Sequence, residues 1–354
     1  MYQLRKNKIS VKKIAKFLKT SYTGKNFDIT SLSSLNNVKN NSLLFYSDII
    51  NFKFKLKDNM VYDLKKLEKF KNIAIITTDK IKNKINVPII SSENPRLDFQ
   101  RVAMEFFTRE EFKPSIHKTA IVEKNSIIGK DVYIGSNCYI GNGVEIGDKA
   151  KILQNTCVYG RTKIGQGTII KSNTTIGSEG FSFSFTGNEL FHFPHVGSIR
   201  IGENVWIGSN CTVEKSQIDE TLIEDHVKID DLVHVGHNSK IKKFSQITVG
   251  SIIGGRVIIG QGCWIAPHVV VDTGIEIGEN SMIGTSSFVK ADVEKNSVMV
   301  GSPAKLLRKT KFWWWMNSKV IFWISDALAP IGLPKTLQEK HNFDVYAIND
   351  VTDK

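Results

Sequence analysis

Aliphatic residues recur at every sixth position through the middle of the chain. Ile116, Val122, Ile128, Ile134, Ile140, Ile146, Ile152, Val158, Ile164, Ile170 and Ile176 keep this beat; it resumes at Ile201, Ile207 and Val213, and then runs from Ile223 through to Val289. Amphipathic helices repeat every 3.6 residues and half-buried strands every two, so neither fits. A period of six is that of a parallel β-helix, in which each hexapeptide supplies one short flat strand and a corner and three hexapeptides close a triangular coil. The branched aliphatics then stack inside. The residue four places after each aliphatic takes the second inward position and is small, as at Cys138, Cys211 and Cys263. A β-sandwich would instead show alternation and wider turn spacing. The predicted class is mainly β.

The beat also sets the domain boundaries. Residues 1–112 lack it. There SVKKIAKFLKT has helical spacing with Ser10 as a cap, the runs SLLFYS, NMVYDL, NIAIITT and VPIIS read as strands, and NPRLDFQRVAMEFF reads as a helix opened by Asn94 and Pro95. A small α/β domain therefore precedes a solenoid over 113–300. Two stretches break the solenoid, Ser178–Ser198 and Glu214–Glu220. A coil cannot absorb inserts inside, so both must leave it as loops, where binding groups usually sit. Residues 301–354 form a third segment, an aromatic-rich helical tail with Trp313, Trp314, Trp315 and Trp323. It is expected to pack on the solenoid end, meet another subunit or lie at a membrane interface. Its apolar run is broken by Asn317, Ser318, Lys319, Ser325, Asp326 and Pro330, so it is not expected to span a bilayer.

Composition narrows the partners. The net charge is +13, dispersed among lysines, with no nucleic-acid motif and no aromatics interleaved with arginine. No nucleic-acid partner is expected; an anionic one is, such as a nucleotide-sugar, an acidic carrier protein or a lipid surface. The four cysteines form no CxxC, and three sit at the small inward position, which predicts buried thiols in a reducing compartment and no metal. The N-terminal stretch has no continuous apolar core of the signal-peptide kind. The expected location is the cytoplasm, with peripheral contact at the inner membrane as an option.

Candidate chemistry concentrates in IDDLVHVGHNSKI, residues 229–241. With Val235 inward, His237 points outward and His234 stands just before the inward position. An imidazole titrates near neutrality and can serve as a general base. Asp230 and Asp231 are close enough in the chain to orient a ring nitrogen. A solenoid wall has no deep pocket, so a loop or a neighbouring subunit must build the opposite side.

Residues 1–310 resemble the UDP-3-O-acylglucosamine N-acyltransferases of lipid A biosynthesis. ITSLSSLNNVKNNSLLFYSD and NPRLDFQRVAMEFF are similar to that family's uridine-binding domain, and GSEGFSF, HFPHVGSIRIG and IDDLVHVGHN are similar to its solenoid loops. The resemblance implies a left-handed β-helix and a homotrimer with sites between subunits. It implies His237 as the general base, Asp230 as the acid beside it, and the Gly255 N–H as oxyanion donor. It places Phe45 and Asp48 on the uracil, and Phe181 and His195 in substrate-binding loops. No cofactor is implied; the co-substrate is an acyl-carrier-protein thioester and the acceptor a UDP-amino sugar. The sequence departs from the family pattern at Asp48, where an asparagine is expected, at Glu214, Lys215 and Ser216, and at Gly274, where a second histidine is expected. The stretch from Cys263 to Leu307 also resembles acetyl-CoA-dependent hexapeptide sugar acetyltransferases, which leaves acyl-CoA as the alternative donor. A catalytically inactive sugar-binding scaffold is a third reading, opposed by the presence of His237 and Gly255.

Overall fold

The computed structural model describes residues 3–4, 8–46, 64–82, 84–108 and 112–310. Asp48 and the Trp-rich segment beyond residue 310 lie outside them, as does most of NMVYDL; its last residue opens a short 3-10 helix, Leu64–Lys69. The chain divides into two compact units between Lys113 and Pro114.

The first unit is a parallel four-stranded sheet in the order Ser31–Leu32, Ser42–Phe45, Ile73–Thr77 and Ile89–Ser91. Strand alternation sorts its side chains. Leu43, Ala74, Ile76 and Ile90 form one core with α1 (Val11–Phe17) and α2 (Pro95–Phe106), while Leu44, Ile73, Ile75 and Ile89 form another with Leu67 and Ile81. Both helices begin on side-chain caps: Ser10 accepts from the Lys13 N–H and Asn94 from the Leu97 N–H, with Pro95 in the first turn.

The second unit is a left-handed parallel β-helix of about 12 turns. Its first face has nine strands, from Ile121–Val122 to Phe288–Val289; its second has eight, from Ile127–Ile128 to Glu276–Ile277; its third has eleven and begins at Ser115–Ile116. Successive strands on a face are offset by 18 residues, as in Tyr139 opposite Cys157. The aliphatics of the six-residue beat from Ile134 onward are fully buried in one continuous core. Many of the second inward positions hold Thr or Ser rather than an apolar residue. These hydroxyls are satisfied by carbonyls of the neighbouring coil: Thr168 donates to Gly202 at 2.8 Å, Thr174 to Gly208 at 2.7 Å and Ser245 to Gly260 at 2.7 Å. Cys138, Cys211 and Cys263 are buried as expected, and burial pushes the Cys263 thiol up to about 12.

Two features of the solenoid differ from a plain stack. At its C-terminal end, residues 305–309 are not the start of a helical tail. They form a strand, Lys305–Lys309, that turns antiparallel to Ser297–Val300 and ends the third face. The inserts also share one location. The first leaves after Thr175–Ser178 and returns at Ser198–Ile201, so Thr162 pairs with Ile199 at an offset of 37. The second leaves after Thr212–Glu214 and returns at Glu220–Ile223, where Ser198 pairs with Glu220 at an offset of 22. Each bridges the first face to the second, so both emerge on the same edge of the triangle.

Candidate active site

The edge that carries the inserts also carries His237, which sits between His234–Val235 on the first face and Lys240–Ile241 on the second. Gly255 occupies the same edge one coil further on. Four consecutive coils thus contribute the first insert, the second insert, His237 and Gly255 to one line along the solenoid.

Hydrogen bonding decides which nitrogen of His237 carries the proton. The Gln217 N–H donates to Asn238 Oδ1 at 3.2 Å, which identifies that atom as the carbonyl oxygen, and the Asn238 amide nitrogen donates to Ser216 Oγ. His237 Nδ1 lies 2.9 Å from the same Oδ1. An oxygen can only accept there, so Nδ1 carries the proton. In the neutral ring Nε2 therefore holds the lone pair. It faces Gly255: a Cβ on that glycine would come within 2.9 Å of Nε2. Among the described residues no acceptor takes the Gly255 N–H, which remains open to a ligand oxygen. Asn238 itself is in the left-handed region at φ 62°, a conformation asparagine tolerates better than most residues, and its own N–H is held by Thr221 Oγ1 at 2.8 Å.

The first insert closes over this histidine. Its outer part is a two-stranded hairpin, Phe183–Phe185 with Leu190–His192. At its base Gly180 allows a close approach, since a Cβ there would lie 2.8 Å from Glu214 Oε2, 2.8 Å from His237 Cδ2 and 2.9 Å from His195 Nε2. His195 is buried at 2% exposure, with its ring edge-to-face against His237 at 5.3 Å. Burial holds its pKa below the usual histidine value, the Phe193 carbonyl opposes this, and the nearby His237 adds to the lowering. The carboxylate beside His237 is Glu214, which accepts the His237 backbone N–H at 3.1 Å and stands 3.9 Å from His234 Nε2.

The structure brings His237, Gly255 and His195 together. It does not bring Asp230 to them. Asp230 is exposed at the corner between the third and first faces, one full side of the triangle from His237, and no hydrogen bond or ion pair joins the two among the described residues. Its neighbour Asp231 is taken by Lys171 Nζ at 2.6 Å and the Ser209 N–H at 2.7 Å. Phe181 is 87% exposed, its ring against Phe183 rather than the histidines. Phe45 ends its strand half-buried, 5.0 Å from the ring of Phe99 on α2. Gly274 continues the edge one coil beyond Gly255, where a side chain would meet open space. Sequence reasoning missed Glu214, Asn238 and Gly180 as site residues. The signal for Asn238 was its position directly after an outward histidine, at a corner.

The family model of the bacterial transferase hexapeptide repeats matches residues 113–148, 143–178 and 256–291. The hexapeptide repeat of succinyl-transferase matches 198–216. Among curated relatives, UDP-3-O-acylglucosamine N-acyltransferase of Coxiella burnetii is 29% identical over 173 residues, 49% of either chain, and that of Rickettsia akari is 33% identical over 141 residues, 40% of this chain and 41% of its own. The chain thus spans about half or less of the length of these relatives. Among solved structures, LpxA from Acinetobacter baumannii superposes with a TM-score of 0.51 at 26% identity, covering 55% of this chain and 74% of that one.

Proposed function

We propose that the protein is an N-acyltransferase that moves a 3-hydroxyacyl group from an acyl-carrier-protein thioester to the amine of UDP-3-O-acylglucosamine, in lipid A biosynthesis. The observation that carries this reading is the fixed tautomer of His237, with a bare Nε2 beside Gly255, where a Cβ would come within 2.9 Å of it. Nε2 takes a proton from the sugar amine as its nitrogen attacks the thioester carbonyl. The C–N bond forms, the developing oxyanion is held by the Gly255 N–H, and collapse expels the thiolate, which takes the proton from the imidazolium. This chemistry uses no cofactor and no covalent enzyme intermediate. The names and identities of the relatives support the acceptor class. In this reading Phe45 and Asp48 serve the uracil, Phe181 and His195 line the acceptor side, three copies assemble so that a neighbour completes each cleft, and the enzyme works in the cytoplasm with peripheral contact at the inner membrane. No helix among the described residues is long and apolar enough to cross a membrane.

A second reading is N-acetyl transfer from acetyl-CoA to another nucleotide-amino sugar, favoured by the glycine at position 274 and by the resemblance of residues 263–307. Purified full-length protein incubated with a set of UDP-amino sugars, UDP-3-O-acylglucosamine among them, and either 3-hydroxyacyl carrier protein or acetyl-CoA separates the two. Turnover only with the carrier thioester supports the first reading; turnover only with acetyl-CoA, or with neither donor, overturns it.

A further inference from the structure

The first insert contains a constellation that the proton-transfer step at His237 does not use. One ligand atom each from Glu179, His192 and His195 lie within 4.8 Å of one another. The free nitrogen of each ring follows from its partner. His195 Nδ1 is 3.0 Å from the Phe193 carbonyl and so carries the proton, leaving the lone pair on Nε2. That Nε2 is buried and has no hydrogen-bond partner. His192 Nε2 is 3.3 Å from the Gly180 carbonyl, which leaves the lone pair on Nδ1, 3.5 Å from Glu179 Oε2. The other carboxylate oxygen, Oε1, faces Lys215 Nζ at 3.4 Å. Each ligating group is thus oriented by a second contact, in the manner of metal-bound histidines whose other nitrogen donates to a backbone carbonyl. A buried imidazole with an unpartnered lone pair is costly unless something fills that position.

We propose that Glu179, His192 and His195 bind a divalent first-row transition ion, of which zinc is the type, with a fourth position open. Two imidazoles and one carboxylate are the donor set of open zinc sites. Bonds of about 2.0–2.1 Å at tetrahedral angles put ligand atoms about 3.4 Å apart. The His192–Glu179 pair is already near that separation at 3.5 Å, and the remaining ligand atoms, within 4.8 Å of one another, need to approach by at most about 1.4 Å. The three ligands come from the two ends of the insert: Glu179 follows the outgoing strand and His195 precedes the return at Ser198. The ion would tie these ends together and fix the wall that His195 presents to His237. Residues 179, 192 and 195 escape sequence motifs because the hairpin, and not a short fixed spacing, brings the first of them to the other two.

The test is cobalt titration of tag-free, chelator-treated full-length protein, read by visible absorption. One equivalent of Co²⁺ should give an intense tetrahedral band that one equivalent of Zn²⁺ abolishes. Glu179→Gln and His192→Ala, both at partly exposed positions, should each weaken Co²⁺ binding by about 100-fold or more without changing the melting temperature of the metal-free protein. His268→Ala, on a different edge, should bind as wild type. Absence of a stoichiometric band, or a band that survives both ligand substitutions, overturns the site. The readout is independent of acyl transfer, so its failure and failure of the functional proposal are separately visible.

Discussion

Replacing Gly255 with alanine tests the active-site geometry most directly. The added Cβ would lie 2.9 Å from His237 Nε2, 3.0 Å from Cε1 and 3.3 Å from Cδ2. Ordinary van der Waals contact begins near 3.4 Å, so the imidazole must retreat by about half an ångström, and the methyl takes the space in front of the lone pair. Retreat is resisted from behind, because Nδ1 is fixed to Asn238 and the edge of the ring meets His195. A misplacement of about 1 Å can cost about 100-fold in rate. Here displacement and occlusion act together, and kcat/KM should fall by about 10²–10³-fold. Gly255 lies outside the left-handed region, so the backbone accepts alanine without strain and the melting temperature should change little. The assay is transfer of a radiolabelled acyl group to the UDP-amino sugar, with circular dichroism and thermal melting on the same preparation. A stable Gly255→Ala protein with wild-type kcat/KM would refute the assignment of Nε2 as the base and of the Gly255 side as the reacting face.

The other predictions address neighbouring parts of the molecule. His237→Ala should lower turnover by about 10²–10⁴-fold with unchanged folding, whereas His234→Ala should not; the reverse result identifies the wrong histidine. Phe45→Ala should weaken UDP binding in calorimetry by about ten- to hundred-fold, from about 1–3 kcal/mol of stacking. It should also destabilise the fold, because the contact with Phe99 is lost. Burial lowers the pKa of His195 in the folded state, so the unfolded chain binds that proton first and stability falls as pH drops through the ordinary histidine range; in His195→Gln the decline in melting temperature between about pH 7 and 5 should be shallower.

The solenoid was legible because its core is written into the sequence at one fixed period, and Ile134 through Val289 are buried where the beat puts them. The corners were not legible in the same way. Asp230 stands seven residues before His237 and reads as its neighbour, yet a six-residue side of the triangle carries it to a different edge. Conversely, Glu214 is 23 residues away in sequence and adjacent in space, because one coil plus the second insert separates them. Hexapeptide periodicity reports which residues point inward and says nothing of which outward residues from successive coils line up once inserts shift the count. Asn238 was visible in the motif, but its role depends on a backbone N–H from Gln217, and no side-chain pattern records that bond.

The antiparallel turn at the C-terminal end of the third face bears on how the molecule behaves in a crowded solution. A stack of parallel coils has no intrinsic stopping point: its last strand offers the same ladder of N–H and C=O groups as every strand beneath it, and a second molecule could continue the column. In Lys305–Lys309 the chain reverses direction and sets Lys305, Arg308 and Lys309 along that boundary. A parallel strand from another copy would meet reversed polarity and the charges of Lys305 and Arg308, Lys309 being paired with Glu294. On the third face the reversed strand thus replaces an open parallel edge, the template on which a further coil would add, with one of opposite polarity.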